Sequence, residues 1–186
     1  MNSNQQISDY IFFYPDVMDK KTCEWIINRY DTTAKWQQST FSTAYKNTGT
    51  SRVAMDEYWI KSEAPYYKEL KKSFEYCVND YISVHDKIKI LEYTNFRINR
   101  YGEGGFMQSH IDNIHHSHGQ KQGYPHITSL IFLNDDYEGG EFVICGDKYI
   151  EKIQGSAVVF PSNFMYPHEV KEVTDGKRFS VMTWIL

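Results

Sequence analysis

"GSAVVFPSNFMYPHEVKEVTDGKRFSVMTWIL" runs from Gly155 to Leu186 and closes the chain. Short apolar runs alternate here with turn residues, the rhythm of strands rather than helices. In the last run Arg178, Ser180, Met182 and Trp184 share one strand face; Phe179, Val181, Thr183 and Ile185 share the other. Pro167 fixes the backbone on entry to a strand at His168. The turn "TDGK" then predicts that the His168 and Arg178 strands form a hairpin.

The same rhythm extends back through "KILEYTNFRINRY" (89–101), "HITSLIFLN" (126–134), "GGEFVIC" (139–145) and "KYIEKI" (148–153). The turns between them read as "NDDYEGG", "GDK" and "IQGS". The first half reads differently. Residues 16–37 carry a helical pattern, with Asp19 as N-cap and Cys23, Ile26, Ile27 and Tyr30 on one face. A second helix is expected over 64–85, where Tyr67, Leu70, Phe74, Cys77, Val78 and Tyr81 recur at helical spacing. The polar stretch 39–59 between them reads as loop with one strand. Helices first and strands later give an α+β, mainly β fold: a β-barrel or sandwich with N-terminal supporting helices. At 186 residues the chain suits a single domain, 1–186, with 1–87 as helical support and strands and 88–186 as barrel core.

Composition narrows the function. Net charge is −4 and no Lys/Arg stripe forms, so nucleic acid is not an expected partner. No apolar run is long enough to cross a membrane, and "MNSNQQISDYIFF" lacks a basic start and an apolar signal core, so a cytoplasmic location is expected. Cys23, Cys77 and Cys145 are odd in number and lack CxxC spacing; they read as small buried hydrophobes.

Four of the seven histidines fall in "FMQSHIDNIHHSHGQ" (106–120). If Met107–Asn113 enters a strand, His110 and Asp112 point to one side. An imidazole and a carboxylate so placed supply two members of a 2-His-1-carboxylate triad for iron(II), which leaves coordination positions open. The best third ligand is His168. Its competitors are His126 and, in a stretch of loop composition, His115, His116 and His118. A zinc site built from that local cluster is the rival, but a Gly/Ser loop frames tetrahedral geometry poorly. Arg178, ten residues after His168, is costly if it faces the interior without an anion. A dicarboxylate at the metal would meet it bidentately, with Ser180 donating to the same oxygens; the competing reading is an outward Arg178 paired with Glu172.

On these residues the chain resembles the 2-oxoglutarate- and iron(II)-dependent dioxygenases, and among them the prolyl 4-hydroxylase-like branch. "RYGEGGFMQSHID", "ITSLIFLNDDYEGGEFVI" and "GSAVVFPSNFMYPHEVKEVTDGKRFSVMTW" are similar to that branch's segments in order and spacing, over about residues 95–186. The resemblance implies a double-stranded β-helix, a jelly-roll or cupin-like barrel. It implies His110, Asp112 and His168 as iron ligands, Arg178 as anchor of the distal carboxylate of 2-oxoglutarate, and Tyr101 as a hydrogen-bonding partner of that cosubstrate. Thr128 fits the branch's strand pattern, with packing as its other reading. The implied cofactors are Fe(II), 2-oxoglutarate, O2 and ascorbate, and the implied reaction is hydroxylation of a proline in a peptide or protein, coupled to decarboxylation to succinate and carbon dioxide. No protein group beyond the metal ligands is expected to act catalytically. One departure stands out: many prolyl hydroxylases carry a substrate-contacting arginine where this sequence has Pro125.

Other readings stay open at this point. The substrate could be a small molecule or another side chain. A non-enzymatic metal-binding jelly roll and a cupin-like metalloenzyme are the alternatives, though neither accounts for the spacing from His168 to Arg178. Tyr93, Phe96 and Trp184 are candidates for the pocket wall, with core packing as their competing role. Oligomeric state is not legible.

Overall fold

The computed structural model describes residues 6–39, 52–85, 87–90, 92–113 and 123–186. A 3-10 turn (Ile7–Tyr10) leads to β1 (Phe12–Tyr14), α1 (Lys20–Thr33), β2 (Gln37–Gln38), β3 (Val53–Ala54), β4 (Asp56–Trp59) and α2 (Tyr67–Val84). β5 (Arg97–Tyr101), β6 (Phe106–His110), β7 (Ile127–Phe132), β8 (Glu138–Gly139), β9 (Phe142–Ile144) and β10 (Lys148–Tyr149) follow. The chain ends with β11 (Ala157–Pro161), β12 (His168–Val170), β13 (Val173–Asp175) and β14 (Arg178–Ile185).

Both helices are specified locally. Asp19 caps α1 by accepting from the Thr22 backbone N–H at 3.0 Å, and the helix buries Cys23, Ile26 and Tyr30 on one face. It is shorter than the pattern over 16–37 suggests: Ala34 already has extended backbone, and the chain continues into β2. α2 buries Leu70, Phe74, Cys77, Val78 and Tyr81, the face expected from sequence.

A seven-stranded sheet has the order β1-β11-β7-β14-β5-β4-β2, and a five-stranded sheet the order β10-β9-β12-β6-β3; β13 pairs with β8 alone. The helices pack on the outer face of the large sheet, with Phe179, Val181 and Ile185 of β14 in that cluster. Met182 and Trp184, on its opposite face, join a second cluster between the sheets with Met107, Phe142, Ile144 and Val170. The alternation read in β14 therefore sorts its side chains between two cores, and all eight residues are buried. Two facing, unclosed sheets with helices on one side form the jelly-roll arrangement expected.

Four expectations need correction. His168 and Arg178 do not form a hairpin: β12 pairs with β6 and β9, whereas β14 pairs with β5 and β7. The intervening β13 leaves both large sheets to pair with β8, so the chain crosses from one sheet to the other between the two residues. Strand 89–101 is confined to Arg97–Tyr101, with an isolated bridge from Tyr93 to Ile185 before it. The described part of 39–59 holds two short strands, not one; β3 joins the small sheet and β4 the large one. The edge strand β1, three residues long, went unread because so short an element has no period to detect. All three cysteines are free, but only Cys23 and Cys77 are buried; Cys145 is half-buried.

Candidate metal centre and its cavity

β6 and β12 lie side by side in the small sheet, with His110 and His168 as Cα partners in register. Asp112 falls two residues past the end of β6, so it reaches the same point from a bend rather than from the strand face expected. One donor atom from each of His110, Asp112 and His168 lies within 4.8 Å of the others. His110 Nε2 is 3.6 Å from Asp112 Oδ1, and His168 Nε2 is 3.4 Å from Asp112 Oδ2.

The opposite ring nitrogens are held by backbone carbonyls. His110 Nδ1 lies 2.9 Å from the Gln108 carbonyl and His168 Nδ1 lies 3.2 Å from the Tyr166 carbonyl. A carbonyl only accepts, so each Nδ1 carries a hydrogen, and each Nε2 is the ring nitrogen that faces Asp112. Burial, then the neighbouring His168, pushes the His110 imidazole down to about 4, keeping it neutral at pH 7. Burial alone would raise Asp112; the adjoining His168 and then His110 outweigh it and hold the carboxyl well below its usual range. Thr128 Oγ1 donates to Asp112 Oδ2 at 2.8 Å, and itself lies 2.8 Å from Ser162 Oγ. Phe142 and Phe160 flank the His168 ring with centroids 5.5 and 5.0 Å away.

Arg178 is 0 % exposed. Its Nη1 donates to Ser180 Oγ at 3.1 Å, while Nε and Nη2 are buried without a hydrogen-bond partner. The guanidinium carbon sits 5.1 Å from the Tyr101 ring and 5.5 Å from Phe132. The surface pairing with Glu172 does not occur: among the described residues no carboxylate forms an ion pair with Arg178. Tyr101, its Cα partner across β5 and β14, is buried as well.

A narrow cavity of about 20 Å³ lies at the triad, lined among others by Arg97, Asn99, Tyr101, Thr128, Leu130 and Met182. A larger cleft of about 420 Å³ beside Glu24, Asp136 and Lys177 contains none of the triad. The sequence reading did not single out Arg97, Asn99 or the Thr128–Asp112 bond. Two-residue alternation carries the missing signal: Tyr101 implies Asn99 and Arg97 on its face of β5, and Leu130 implies Thr128 on its face of β7. Of the proposed wall aromatics, Phe96 belongs to the helix-side core, stacked on Tyr67 at 4.6 Å, and Tyr93 packs against that core; Trp184 alone faces the space between the sheets. His126 is exposed at the approach to β7 and is not part of the cluster. His115, His116 and His118 lie outside the described residues.

Residues 96–186 match the sequence profile of the 2OG-Fe(II) oxygenase superfamily. A PKHD-type hydroxylase of Rippkaea orientalis is 38% identical over 91 residues, covering 46% of this chain and 40% of that protein. One of Synechococcus sp. is 25% identical over 174 residues, covering 91% of this chain and 74% of that protein. The chain thus spans well under half the length of the first of these relatives. In three dimensions it is similar to a Pseudomonas putida prolyl-4-hydroxylase, with TM-score 0.73 and 15% identity over 95% of this chain and 91% of that one. It is also similar to a Trichoplax adhaerens prolyl hydroxylase in complex with a hypoxia inducible factor peptide fragment, with TM-score 0.74 and 18% identity over 96% and 84% of the two chains. Residues 96–186 of this chain are thus similar in sequence to the 2OG-Fe(II) oxygenase superfamily, and its fold is similar to that of the prolyl hydroxylases.

Proposed function

We propose that the protein is a 2-oxoglutarate- and Fe(II)-dependent hydroxylase of prolyl 4-hydroxylase type, acting on a peptide or protein. In this reading His110, Asp112 and His168 hold the iron. The donor set fits: two imidazole nitrogens and a carboxylate are the ligands of non-haem Fe(II) oxygenases, and three ligands leave room for cosubstrate and oxygen. When bound, ferrous iron supplies the oxygen activation that couples decarboxylation of 2-oxoglutarate to insertion of an oxygen atom into a C–H bond.

The chain's own residues orient the reactants. Arg178 grips the distal carboxylate through its unpartnered Nε and Nη2, a two-pronged edge matched to two oxygens. Ser180 accepts from Nη1 and so aims the guanidinium, leaving its own hydroxyl hydrogen for the same carboxylate. Tyr101, the Cα partner of Arg178 one strand over, donates its hydroxyl hydrogen to the cosubstrate in this reading. Entry needs the cavity to widen. Met107 and Met182 in its wall are unbranched and flexible, and a rotamer change in them supplies the space. In this reading His110, Asp112 and His168 are all committed to the metal, so none of them serves as general base.

The buried Arg178 carries this reading. An arginine sealed in a barrel with two idle nitrogens and no acid is costly, and a bound dianion removes the cost. The peptide-bound Trichoplax protein supports a peptide or protein substrate, and the PKHD-type relatives support hydroxylation. The test is to incubate the protein with Fe(II), 2-oxoglutarate, ascorbate and proline-containing peptides. Succinate should form together with a mass gain of about 16 Da, one oxygen atom. Succinate formation with a small molecule but no peptide would move the substrate class; no succinate under any condition would favour a non-enzymatic metal module.

A further inference from the structure

A guanidinium other than that of Arg178 lines the cavity at the triad. Arg97 is 7 % exposed and lines the cavity together with the triad. Its Nη1 donates to Glu57 Oε2 at 3.2 Å, and its Nη2 meets only a thioether, Met182 Sδ, at 3.0 Å. Nε is buried with no partner. The guanidinium carbon lies 4.8 Å from the Trp184 ring and 5.8 Å from Trp59. Glu57 thus engages one end of the group, and among the described residues the side-on edge formed by Nε and Nη2 has no oxygen acceptor. Nε–H and one Nη2–H project in parallel, the geometry that receives both oxygens of a carboxylate.

Position separates this edge from that of Arg178. Along β14 the Cα partner of Arg178 on β5 is Tyr101, that of Ser180 is Asn99, and that of Met182 is Arg97. Arg97 therefore sits four residues further along the ladder, toward Trp184, the Cα partner of the Asp112-bonded Thr128. Four strand residues span about 13 Å, so a single small dicarboxylate held by Arg178 and the metal leaves the Arg97 edge to another molecule.

We propose that Arg97 selects a primary substrate bearing a carboxylate close to the carbon that is hydroxylated, which the Nε–Nη2 edge receives beside the metal. This rests on the oxygenase reading above for the identity of the reaction, though not for the existence of the anion site. A lysine or an apolar residue would fill the space beside Trp59 and Trp184 without a fork of donors; the fork is what a carboxylate uses and a lone carbonyl only half uses. The carboxylate has two sources, the α-carboxylate of a free amino acid or an acidic side chain beside the target residue of a peptide.

The flanking tryptophans give a local readout. The full chain, held anaerobically with Fe(II) and saturating 2-oxoglutarate, is titrated while tryptophan emission is followed. One arm compares free proline with prolinamide. The other compares a blocked peptide carrying aspartate beside proline with its asparagine twin. In one arm the carboxylate probe should bind about tenfold or more tightly than its amide, the scale of a charge-assisted pair; the arm that responds identifies the source. Arg97→Gln should abolish that preference, with the 2-oxoglutarate affinity spared. Should the glutamine variant fail to fold, Arg97→Lys, which keeps the charge and loses the fork, should reduce the preference. Amides binding as well as carboxylates, neither carboxylate binding, a preference unchanged in the variants, or an equal loss of 2-oxoglutarate affinity would each overturn the proposal. Succinate formation in air, measured on the same protein, tests the oxygenase reading separately. Carboxylate preference without succinate would sink that reading alone, and succinate without preference would sink this one alone.

Discussion

Thr128 donates its hydroxyl hydrogen to Asp112 Oδ2 at 2.8 Å, inside a site where Asp112 is 3 % exposed. The bond fixes the carboxylate rotamer, and the Ser162 hydroxyl 2.8 Å behind Thr128 extends the chain of polar groups. Thr128→Val keeps the shape and removes the donor. Metal affinity should fall by about 10–100-fold, the usual cost of losing a partner that orients a ligand. Binding of Co(II), followed by its visible absorption, checks this. An unchanged affinity would assign Thr128 to packing alone.

Arg178 should act against the stability of the empty protein. Its charge is buried, and Ser180, Tyr137 and two ring faces offset part of the lost hydration. Arg178→Met should therefore leave the ligand-free melting temperature unchanged or higher, while weakening 2-oxoglutarate binding by at least about tenfold, as expected for losing one or more charge-assisted hydrogen bonds. Thermal melts with and without 2-oxoglutarate separate the two effects. A large loss of stability without ligand, with the cosubstrate dependence intact, would make Arg178 a structural residue.

These two residues also mark what the sequence could and could not convey. The alternation of β14 places Arg178, Ser180, Met182 and Trp184 on one face, and the structure keeps them there. The turn before it suggests a hairpin, yet the strands part to opposite sheets. Pairing partners depend on contacts distant in sequence, whereas face depends only on the two-residue period of the strand itself. Asp112 illustrates the same limit: its convergence with His110 was legible from spacing, while its place in a bend beyond β6 was not. Arg97 escaped because an arginine in "FRINRY" looks like an exposed strand residue until the burial of β5 on both faces is known.

Gly140 offers a steric route to the Arg178 side chain. It has φ +63°, and a Cβ there would stand 2.9 Å from Val173 Cγ2, 3.0 Å from Tyr137 Cε2 and 3.2 Å from Arg178 Cδ. Gly140→Ala should cost about 1–2 kcal/mol for the left-handed backbone alone. It should also displace the Arg178 stem and raise the 2-oxoglutarate requirement. Gly102→Ala is the control, since a Cβ there meets nothing within 4 Å. Equal effects of the two substitutions on cosubstrate affinity would contradict the steric account.

The metal-free protein should lose stability as pH falls from about 6.5 toward 4. Burial, then His168, holds the His110 imidazole down to about 4 in the folded chain, against about 6.5 when unfolded. Between those values the unfolded chain binds a proton that the folded chain refuses. Stability from this group is thus fully present above the unfolded value and declines with acidification, by at most about 1.4 kcal/mol per pH unit. Asp112 acts in the same direction at lower pH, because its carboxyl is also held below its usual range. His85, lowered by burial, contributes to the same window from the far side of the fold. Urea melts between pH 7.5 and 5 therefore need the His110→Gln variant as reference. That variant cannot titrate at position 110, so its stability should vary less steeply with pH. Parallel pH profiles for the two proteins would show that the buried imidazole is not the group responsible.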